Sequence, residues 1–289
     1  MHVLVAGCGW LGTALARALV AGGHRVTGIR REPARARDLA PLGVEPLALD
    51  LASAGAASRI PRVDAIVACQ AARGESPDAY RRAYLDASRA LLEAAARGGV
   101  RALVYTGSTG VFGQADGGDV DEDSPVAPAS PGARLLVEAE ALLRDAAARG
   151  VPARILRLSG LYGPGRTGVV ERVRTGAMAL GPGDDAWTNW CHLDDAIGLV
   201  RAVLDRGRDG ATYHASDAEP LRRRDVVRWV AARLGIEPPR GEELPPGGRA
   251  ANRRVLSVAT REELRYDLRH PSLREGLLPL LASIPITRG

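Results

Sequence analysis

A chain of 289 residues with 46% hydrophobic and 25% charged residues has the composition of a globular protein with a large core. The sequence contains no lysine, so arginine supplies every basic side chain except the histidines, and the net charge is only +5. Because these arginines alternate with acidic residues and aromatic residues make up 4% of the chain, the composition predicts no nucleic-acid partner.

The cysteines and the hydropathy pattern indicate the cellular compartment of the protein. Cys8, Cys69 and Cys191 show no C-x-x-C spacing, which predicts neither a zinc site nor a disulfide framework and favours a reducing compartment. No run of about 18 uncharged apolar residues occurs, so we expect no membrane span. The apolar N-terminus lacks the basic leader of a signal peptide. We therefore predict a cytoplasmic protein.

The N-terminal stretch predicts a strand, a tight turn and a helix. Apolar residues 2–6 are followed by a G-x-G-x-x-G motif and then by leucines at helical spacing. In such a motif the first glycine permits the turn, the second lets a pyrophosphate approach, and the third lets the helix pack closely. The alternative is an ordinary glycine-rich turn before a helix. We predict dinucleotide binding by the motif residues Gly7, Cys8, Gly9, Trp10, Leu11 and Gly12.

The end of the second predicted strand, residues 25–29, indicates which dinucleotide binds. An acidic residue there would hold the ribose 2′-hydroxyl of NAD, but Arg30 and Arg31 occupy the place. Guanidinium groups suit a 2′-phosphate, so we predict NADP in preference to NAD. The alternative is that the two arginines begin an exposed helix over residues 33–39.

The rest of the first half alternates predicted strands with helices. This alternation predicts an α/β fold with a doubly wound parallel (Rossmann) sheet, in which ligands bind beyond the carboxyl ends of the strands. The further strands are predicted at residues 43–49, 64–72, 100–106, 153–158 and 211–214, and the main helices at 80–97 and 133–149.

After residue 160 the pattern changes to loops and shorter helices. Helices are predicted near residues 169–179, 192–204 and 221–234, a Pro/Gly-rich linker at 238–248, and two short helices at the C-terminal end. We predict a Rossmann domain of residues 1–160 plus 191–215, and a smaller substrate-binding lobe of residues 161–190 and 216–289.

Several motifs in order resemble the extended short-chain dehydrogenase/reductase family, which includes nucleotide-sugar epimerases and dehydratases. They are the fingerprint at 7–12, Asp50-Leu51, Ala71-Ala72, Ser108 before residues 111–113, and the runs 162–165 and 191–196. The resemblance implies that Asp50 and Leu51 flank the adenine, that Ala71 and Ala72 line the ribose–phosphate path, and that Ser108 contacts the reacting oxygen. It also implies a homodimer formed through the helices at 80–97 and 133–149.

The chain departs from this family at its catalytic Tyr-x-x-x-Lys pair. The pair falls on Gly132 and Leu136, or on Ala133 and Val137 after a shift of one residue, and the sequence has no lysine. The tyrosine is the family's general acid/base, and the ammonium group beside it lowers its pKa. The resemblance is therefore to an atypical branch.

The replacements for the pair are few. Ser108 and Thr109 offer hydroxyls that can hold a carbonyl oxygen, and Tyr162 offers a proton, with packing in a turn as its alternative role. His192 is more typical of a capped, buried corner than of an acid/base group. Tyr80 and Tyr84 are more typical of core packing. The acidic loop at 116–123 favours a solvated loop, so no metal is predicted.

These observations predict an NADP-dependent oxidoreductase that passes hydride to or from a small polar substrate. Phosphorylated and nucleotide-linked molecules are among the substrate classes that fit this prediction. One alternative is a nucleotide-sugar epimerase or dehydratase, and another is a non-catalytic NADP-binding sensor or interaction protein. The arginines that favour a diphosphate-bearing substrate are Arg166, Arg172, Arg174, Arg253 and Arg254.

Overall fold

The first half of the chain forms alternating strands and helices. The structure, a computed structural model, describes residues 1–74, 76–182, 184–241 and 251–282. Its first elements are β1 (His2–Ala6), α1 (Trp10–Ala21), β2 (Arg25–Arg30), α2 (Pro33–Arg37), β3 (Glu45–Ala48), α3 (Ala56–Arg59) and β4 (Ala65–Ala68).

A long helical segment then leads into the second half of the sheet. It begins as α4 (Pro77–Tyr80), widens into a π-helical stretch (Arg81–Asp86) and continues as α5 (Ala87–Gly98). The elements that follow are β5 (Ala102–Ser108), a 3₁₀ turn (Thr109–Val111), β6 (Asp119–Val120), α6 (Pro131–Ala148) and β7 (Ala153–Leu158).

The remaining elements are mostly short. They are β8 (Gly160–Tyr162), α7 (Gly168–Arg174), β9 (Trp187–Thr188), β10 (Trp190–His192), α8 (Leu193–Arg206), β11 (Thr212–Ala215), β12 (Leu221–Arg222), α9 (Arg223–Leu234), β13 (Arg254–Val255), α10 (Val258–Glu263) and α11 (Leu273–Leu281).

Seven strands form the central sheet, in the order β11-β7-β5-β4-β1-β2-β3. β1 pairs in parallel with β2 on one side and with β4 on the other, so that Val5 lies between Gly28 and Val67. The chain thus winds outward from β1 in one direction and then returns to wind in the other. In such a sheet the ligand crevice lies beyond the carboxyl ends of the strands where the direction changes. The predicted doubly wound fold is confirmed.

The burial of β1 explains why it stands at the centre of the sheet. Val3, Leu4, Val5 and Ala6 are fully buried. A strand covered by helices on both faces needs apolar side chains on both, and the continuous run in β1 provides them.

The chain forms two compact units. The first comprises Met1–Val111, Pro128–Arg157 and Ile197–Tyr213, and the second comprises Phe112–Ala127, Leu158–Ala196 and His214–Gly289. This division places residues 112–127 in the second unit, whereas the sequence pattern assigned them to the nucleotide-binding domain. The assignment of a cofactor role to one unit and a substrate role to the other stays a prediction.

Some predicted boundaries are displaced. Helix residues begin at Pro77, three positions before the expected start, because Ser76 Oγ accepts a hydrogen bond from the Ala79 amide at 3.2 Å. His192 ends strand β10 and does not begin a helix, and Leu221 and Arg222 form a strand before α9. Strands of two or three residues are too short to show an alternating pattern.

Part of the predicted linker at 238–248 lies outside the described residues, which stop at residue 241 and resume at 251. The described part is held by Leu180, whose amide donates to the Pro239 carbonyl at 2.8 Å. Among the described residues, no helix combines the length and apolar character that crossing a membrane requires.

Candidate functional site

The glycine turn after β1 is shaped by close backbone contacts. Gly7 has a φ of +89°, and a Cβ there would lie 2.5 Å from the Gln70 backbone nitrogen. A Cβ on Gly12 would lie 2.3 Å from the Gly7 carbonyl oxygen. Both positions therefore require glycine for steric reasons.

Gly9 differs from the other two glycines because its α-carbon faces open space. It is exposed, and no atom lies within 4 Å of where its Cβ would be. Gly9 also precedes the first residue of α1, and no side chain caps that helix end. A helix N-terminus without a side-chain cap, beside an open glycine, fits a pyrophosphate group. The turn therefore has the space and the donors that a dinucleotide requires.

Arg30 holds the turn in place. Its Nε donates to the Cys8 carbonyl at 2.8 Å, and its two terminal nitrogens donate to the Arg35 carbonyl at 2.6 Å and to Thr13 Oγ1 at 3.1 Å. The nitrogen that donates to Arg35 also lies 3.4 Å from Oδ2 of Asp38, at the C-terminal cap of α2, so four acceptors occupy the guanidinium of Arg30. Cys8 itself is buried, and burial raises the pKa of its thiol to about 12, so the thiol stays protonated.

A cleft opens beyond the carboxyl ends of β2, β3 and β4 in the first unit. It encloses about 770 Å³, including open solvent. Among the residues predicted to bind the cofactor, its lining contains Arg30, Arg31, Asp50, Leu51 and Ala71. The structure thus brings together residues that lie far apart in the sequence. The lining also contains two arginines that the sequence patterns did not single out, Arg73 and Arg82.

Asp50 lies at the end of this cleft nearest to β3. Its Oδ1 accepts a hydrogen bond from the Ala52 amide at 3.0 Å, and its Oδ2 accepts one from Arg82 at 2.7 Å. The Arg82 guanidinium therefore balances the charge of Asp50, and the carboxylate does not leave a net negative charge in the cleft.

Ser108 and Thr109 stand where β5 ends. Ser108 is half-buried, and its Oγ accepts a hydrogen bond from the Gly110 amide at 3.0 Å. Its hydroxyl proton remains able to donate to a substrate oxygen. Thr109 is buried, so less of its side chain than of Ser108 is accessible to a substrate.

Gly132 is one of the two positions at which the sequence pattern predicts the family's catalytic tyrosine, and a tyrosine from another helix packs against it. A Cβ on Gly132 would lie 2.7 Å from Cε1 of Tyr80. The Tyr80 ring in turn lies 5.4 Å from the ring of Tyr84. Burial raises the pKa of Tyr84. The Tyr80 ring thus fills the space that a side chain at position 132 would enter.

A buried ion pair joins α6, the helix that carries Gly132, to strand β7. Glu140 on α6 accepts hydrogen bonds from Arg157 on β7 at 2.9 and 2.8 Å, and both side chains are at most 2% exposed. Arg144 adds a third hydrogen bond to Glu140 at 2.9 Å. This pair was not expected from the sequence. Its signal is Arg157, a charged residue between Leu156 and Leu158 in a strand of the central sheet.

Tyr162 lies in the core of the second unit. It is 1% exposed, and its hydroxyl donates to the Ser272 carbonyl at 3.2 Å. Burial raises its pKa well above the ordinary value, and the neighbouring carboxylate of Asp217 adds to the effect. A phenol with these contacts cannot exchange protons readily near neutral pH, so the geometry favours its packing role.

His192 and Asp195 form a capped corner. The Asp194 amide donates to His192 Nδ1 at 3.2 Å, and burial lowers the pKa of His192, as does the charge of His270. Asp195 accepts hydrogen bonds from the Tyr266 hydroxyl and from the amides of residues 269 and 270. The polar atoms of His192, Asp194 and His270 lie within 4.8 Å of one another, close enough to hold a metal ion. The hydrogen bonds already present at this corner account for its residues without one.

The arginines proposed for a diphosphate have mixed surroundings. Arg174 pairs with Glu171 at 2.6 Å, and Arg254 pairs with Asp119 at 2.6 Å. Arg253 is 7% exposed, and burial lowers its pKa to about 10. Two of these arginines thus already have carboxylate partners.

Comparison with known proteins gives consistent matches across the chain. A sequence model of the NAD dependent epimerase/dehydratase family matches residues 3–216. Protein YeeZ of Escherichia coli K12 is 33% identical over 246 residues, which cover 82% of this chain and 85% of that protein. A 3-diazoavenalumate denitrifying reductase of a Streptomyces species is 32% identical and covers 96% of this chain and 99% of its own.

Solved structures match over nearly the full length. A putative NAD-dependent epimerase/dehydratase from Methylobacillus flagellatus has 31% identity and a TM-score of 0.76, with 97% of each chain covered. DesIV from Streptomyces venezuelae, a dTDP-glucose 4,6-dehydratase solved with NAD and TYD bound, has a TM-score of 0.84 and covers 98% of this chain and 96% of its own. At 24% identity, this second likeness shows the fold alone.

Proposed function

This chain belongs to the NAD dependent epimerase/dehydratase family, and from that membership we propose that it is an NADP-dependent reductase acting on a small polar molecule. The observation that carries the proposal is the open glycine turn together with an arginine-lined cleft in the same compact unit. As a member of the family it is an NAD(P)-dependent, epimerase-like oxidoreductase; the preference for NADP and for reduction is our inference.

The preference for NADP rests on Arg31. Arg31 is exposed, lines the cleft, and makes no hydrogen bond or ion pair within the described part of the chain. Arg30, which the sequence placed beside it in the same role, is occupied by four acceptors of its own unit. Arg30 therefore acts through the shape of the turn, and Arg31 remains as the guanidinium that a 2′-phosphate can engage.

The chemistry needs little from the side chains. A bound nicotinamide cofactor supplies the hydride, and the protein contributes binding and orientation. Ser108 would donate a hydrogen bond to a substrate oxygen. With glycine at position 132 and no lysine, no acid/base pair of the family's type is available, which favours substrates that take up hydride without a strong protein acid.

One experiment tests this function directly. NADPH consumption is followed with a panel of aldehydes, ketones and imines, and the same panel is repeated with NADH. We expect turnover with at least one substrate and faster turnover with NADPH. The control is the Gly9→Val variant, whose side chain fills the open side of the turn. We expect it to show no turnover when it is assayed with the same substrates. Tight NADPH binding without hydride transfer to any substrate would contradict the reductase and favour a sensor.

A second candidate follows from the absent tyrosine and lysine. Reductive removal of a diazonium group forms a C–H bond with the hydride, breaks the C–N bond and releases N₂ with the bonding electrons, and no oxygen has to be protonated. A site with glycine at position 132 suits this reaction, and one relative is named as a denitrifying reductase of a diazo compound. We therefore propose aryl diazonium compounds as the alternative substrate class.

The diazonium candidate has its own probe. The protein is incubated with NADPH and 4-carboxybenzenediazonium, and benzoate formation is measured by mass spectrometry. Because diazonium salts also react without enzyme, the comparison is with Gly9→Val under the same conditions. Equal benzoate yields for both proteins would eliminate this candidate.

We further propose that the first unit binds the cofactor, that the second supplies substrate contacts, and that the chain forms a homodimer in the cytoplasm. Light scattering tests the dimer. A nucleotide-sugar substrate is less favoured because Arg174 and Arg254 are paired with carboxylates. Protection of the protein from thermal unfolding by UDP-glucose or dTDP-glucose would restore that alternative.

A further inference from the structure

Glu32 is the first carboxylate after strand β2, and it is held by two arginines. Arg73 donates to its Oε1 at 2.8 Å, and Arg35 lies 3.5 Å from its Oε2. The hydrogen bond from Arg73 lowers the pKa of Glu32, and the charges of Arg35 and Arg31 act in the same direction. Glu32 is therefore ionised at neutral pH and lies within a group of three guanidinium groups.

The four arginines that line the cleft fall into two pairs. Arg30 is bound to backbone carbonyls and Thr13, and Arg82 is bound to Asp50. These two have defined internal partners and contribute little charge to a ligand. Arg31 and Arg73, in contrast, line the cleft close to Glu32: Arg73 donates to this exposed carboxylate, and Arg31, its neighbour in the sequence, acts on it only through its charge.

A carboxylate at this place would normally repel a 2′-phosphate. Glu32 carries a single negative charge, whereas a phosphate monoester carries about −1.5 to −2 at pH 7 and offers three acceptor oxygens. Guanidinium groups bind phosphate as readily as carboxylate, in the same two-pronged geometry. An incoming phosphate can therefore compete with Glu32 for Arg73.

We propose that Arg73 and Arg31 together form the 2′-phosphate subsite, and that Glu32 is an internal counter-ion that the phosphate displaces from Arg73. This inference rests on the proposed use of NADP. In the absence of a 2′-phosphate, as with NADH, the Glu32–Arg73 ion pair stays closed. Selection between the two cofactors then depends on Arg73, which follows β4, as well as on the arginine that follows β2.

The exposure of these side chains makes the proposal straightforward to test. Arg73 is 60% exposed and Glu32 is 52% exposed, so their substitution does not open the core. Calorimetric titrations measure the Kd of NADPH and NADH for the wild type, Arg73→Ala, Arg31→Ala and Glu32→Gln. Arg62→Ala is the matched control, because Arg62 is exposed and precedes β4 at the opposite edge of the sheet.

We expect Arg73→Ala to weaken NADPH binding by about tenfold, as the loss of one charge-assisted phosphate contact requires, and to leave NADH binding within about twofold. Glu32→Gln should tighten NADPH by about three- to tenfold and leave NADH unchanged, because it removes a competitor and a like charge. The Arg62→Ala control should match the wild type for both cofactors. Titration with 2′,5′-ADP and 5′-AMP should show the same pattern.

The outcomes separate this inference from the proposed function. If the wild type prefers NADPH but Arg73→Ala leaves its Kd unchanged, the role of Arg73 is overturned while the use of NADP stands. If Glu32→Gln weakens the binding of NADPH, the proposed displacement of Glu32 from Arg73 by the 2′-phosphate is overturned. If the wild type prefers NADH, the proposed use of NADP fails, and the subsite fails with it.

Discussion

The ring of Tyr80 lies against the α-carbon of Gly132, so close that a β-carbon on residue 132 would be 2.7 Å from Cε1 of the ring. Glycine at position 132 on α6 and the Tyr80 ring on α4 are therefore complementary in shape. Any larger side chain at position 132 would require Tyr80 to move. The packing of Tyr80 thus depends on glycine at this position.

This contact predicts an unusual response to alanine. In a helix, Gly→Ala commonly stabilises by up to about 1 kcal/mol. For Gly132→Ala we expect instead a loss of about 1 kcal/mol in the free energy of unfolding, because the Tyr80 ring must move. Gly98→Ala on α5 is the matched control, since no atom lies within 4 Å of a Cβ there, and it should not destabilise. A gain for Gly132→Ala in denaturant titrations would contradict the tight contact.

The fingerprint glycines should separate stability from binding. Gly9→Ala adds a methyl group in open space, so we expect unfolding free energy within about 0.5 kcal/mol of wild type and clearly weaker NADPH binding. Gly12→Ala forces a methyl group towards the Gly7 carbonyl and should cost about 1–3 kcal/mol. Thermal unfolding and calorimetry on the same samples check both. Equal losses of stability would show that Gly9 is structural.

The buried pair of Glu140 and Arg157 should be expensive to break. Removing one partner leaves a guanidinium buried without its carboxylate, so we expect Glu140→Gln to cost about 3–5 kcal/mol. The exposed pair of Glu171 and Arg174 is the comparison, and Glu171→Gln should have no measurable effect. Urea denaturation of the two variants decides the point, and similar midpoints would refute it.

Asp217 should make stability depend on pH. Burial raises its pKa well above the usual value for aspartate, and the nearby carboxylates of Glu219 and Asp195 add to this rise. The native state then keeps a proton that the unfolded chain releases, so this residue's contribution falls as pH rises above about 4, by at most about 1.4 kcal/mol per pH unit. We expect Asp217→Asn to be more stable than wild type at neutral pH, and the difference to shrink towards pH 4. A Tm difference that does not change with pH would contradict this, and Asp205→Asn, on an exposed side chain, provides the baseline.

The sequence predicts the order of the large elements because β1 is a continuous apolar run and the long helices carry clear periodic patterns. It also predicts which strand ends meet, since parallel strands bring Arg30, Asp50 and Ala71 to one edge. It does not predict the partners of individual guanidinium groups: Arg30 and Arg31 are adjacent and chemically identical, yet only Arg30 donates to backbone carbonyls, those of Cys8 and Arg35. The packing of Tyr80 on Gly132 and the pairing of Glu140 with Arg157 depend on how distant elements cross. No local pattern encodes such crossings.

The four hydrogen bonds of Arg30 have a practical consequence for redesign. An engineer who wished to convert the protein to the unphosphorylated coenzyme would start with the last side chain of β2, and here that substitution would loosen the glycine turn after β1. Both coenzymes would then bind poorly. A productive conversion begins instead at Arg31 and Arg73, because these side chains are exposed and changing them leaves the glycine turn intact.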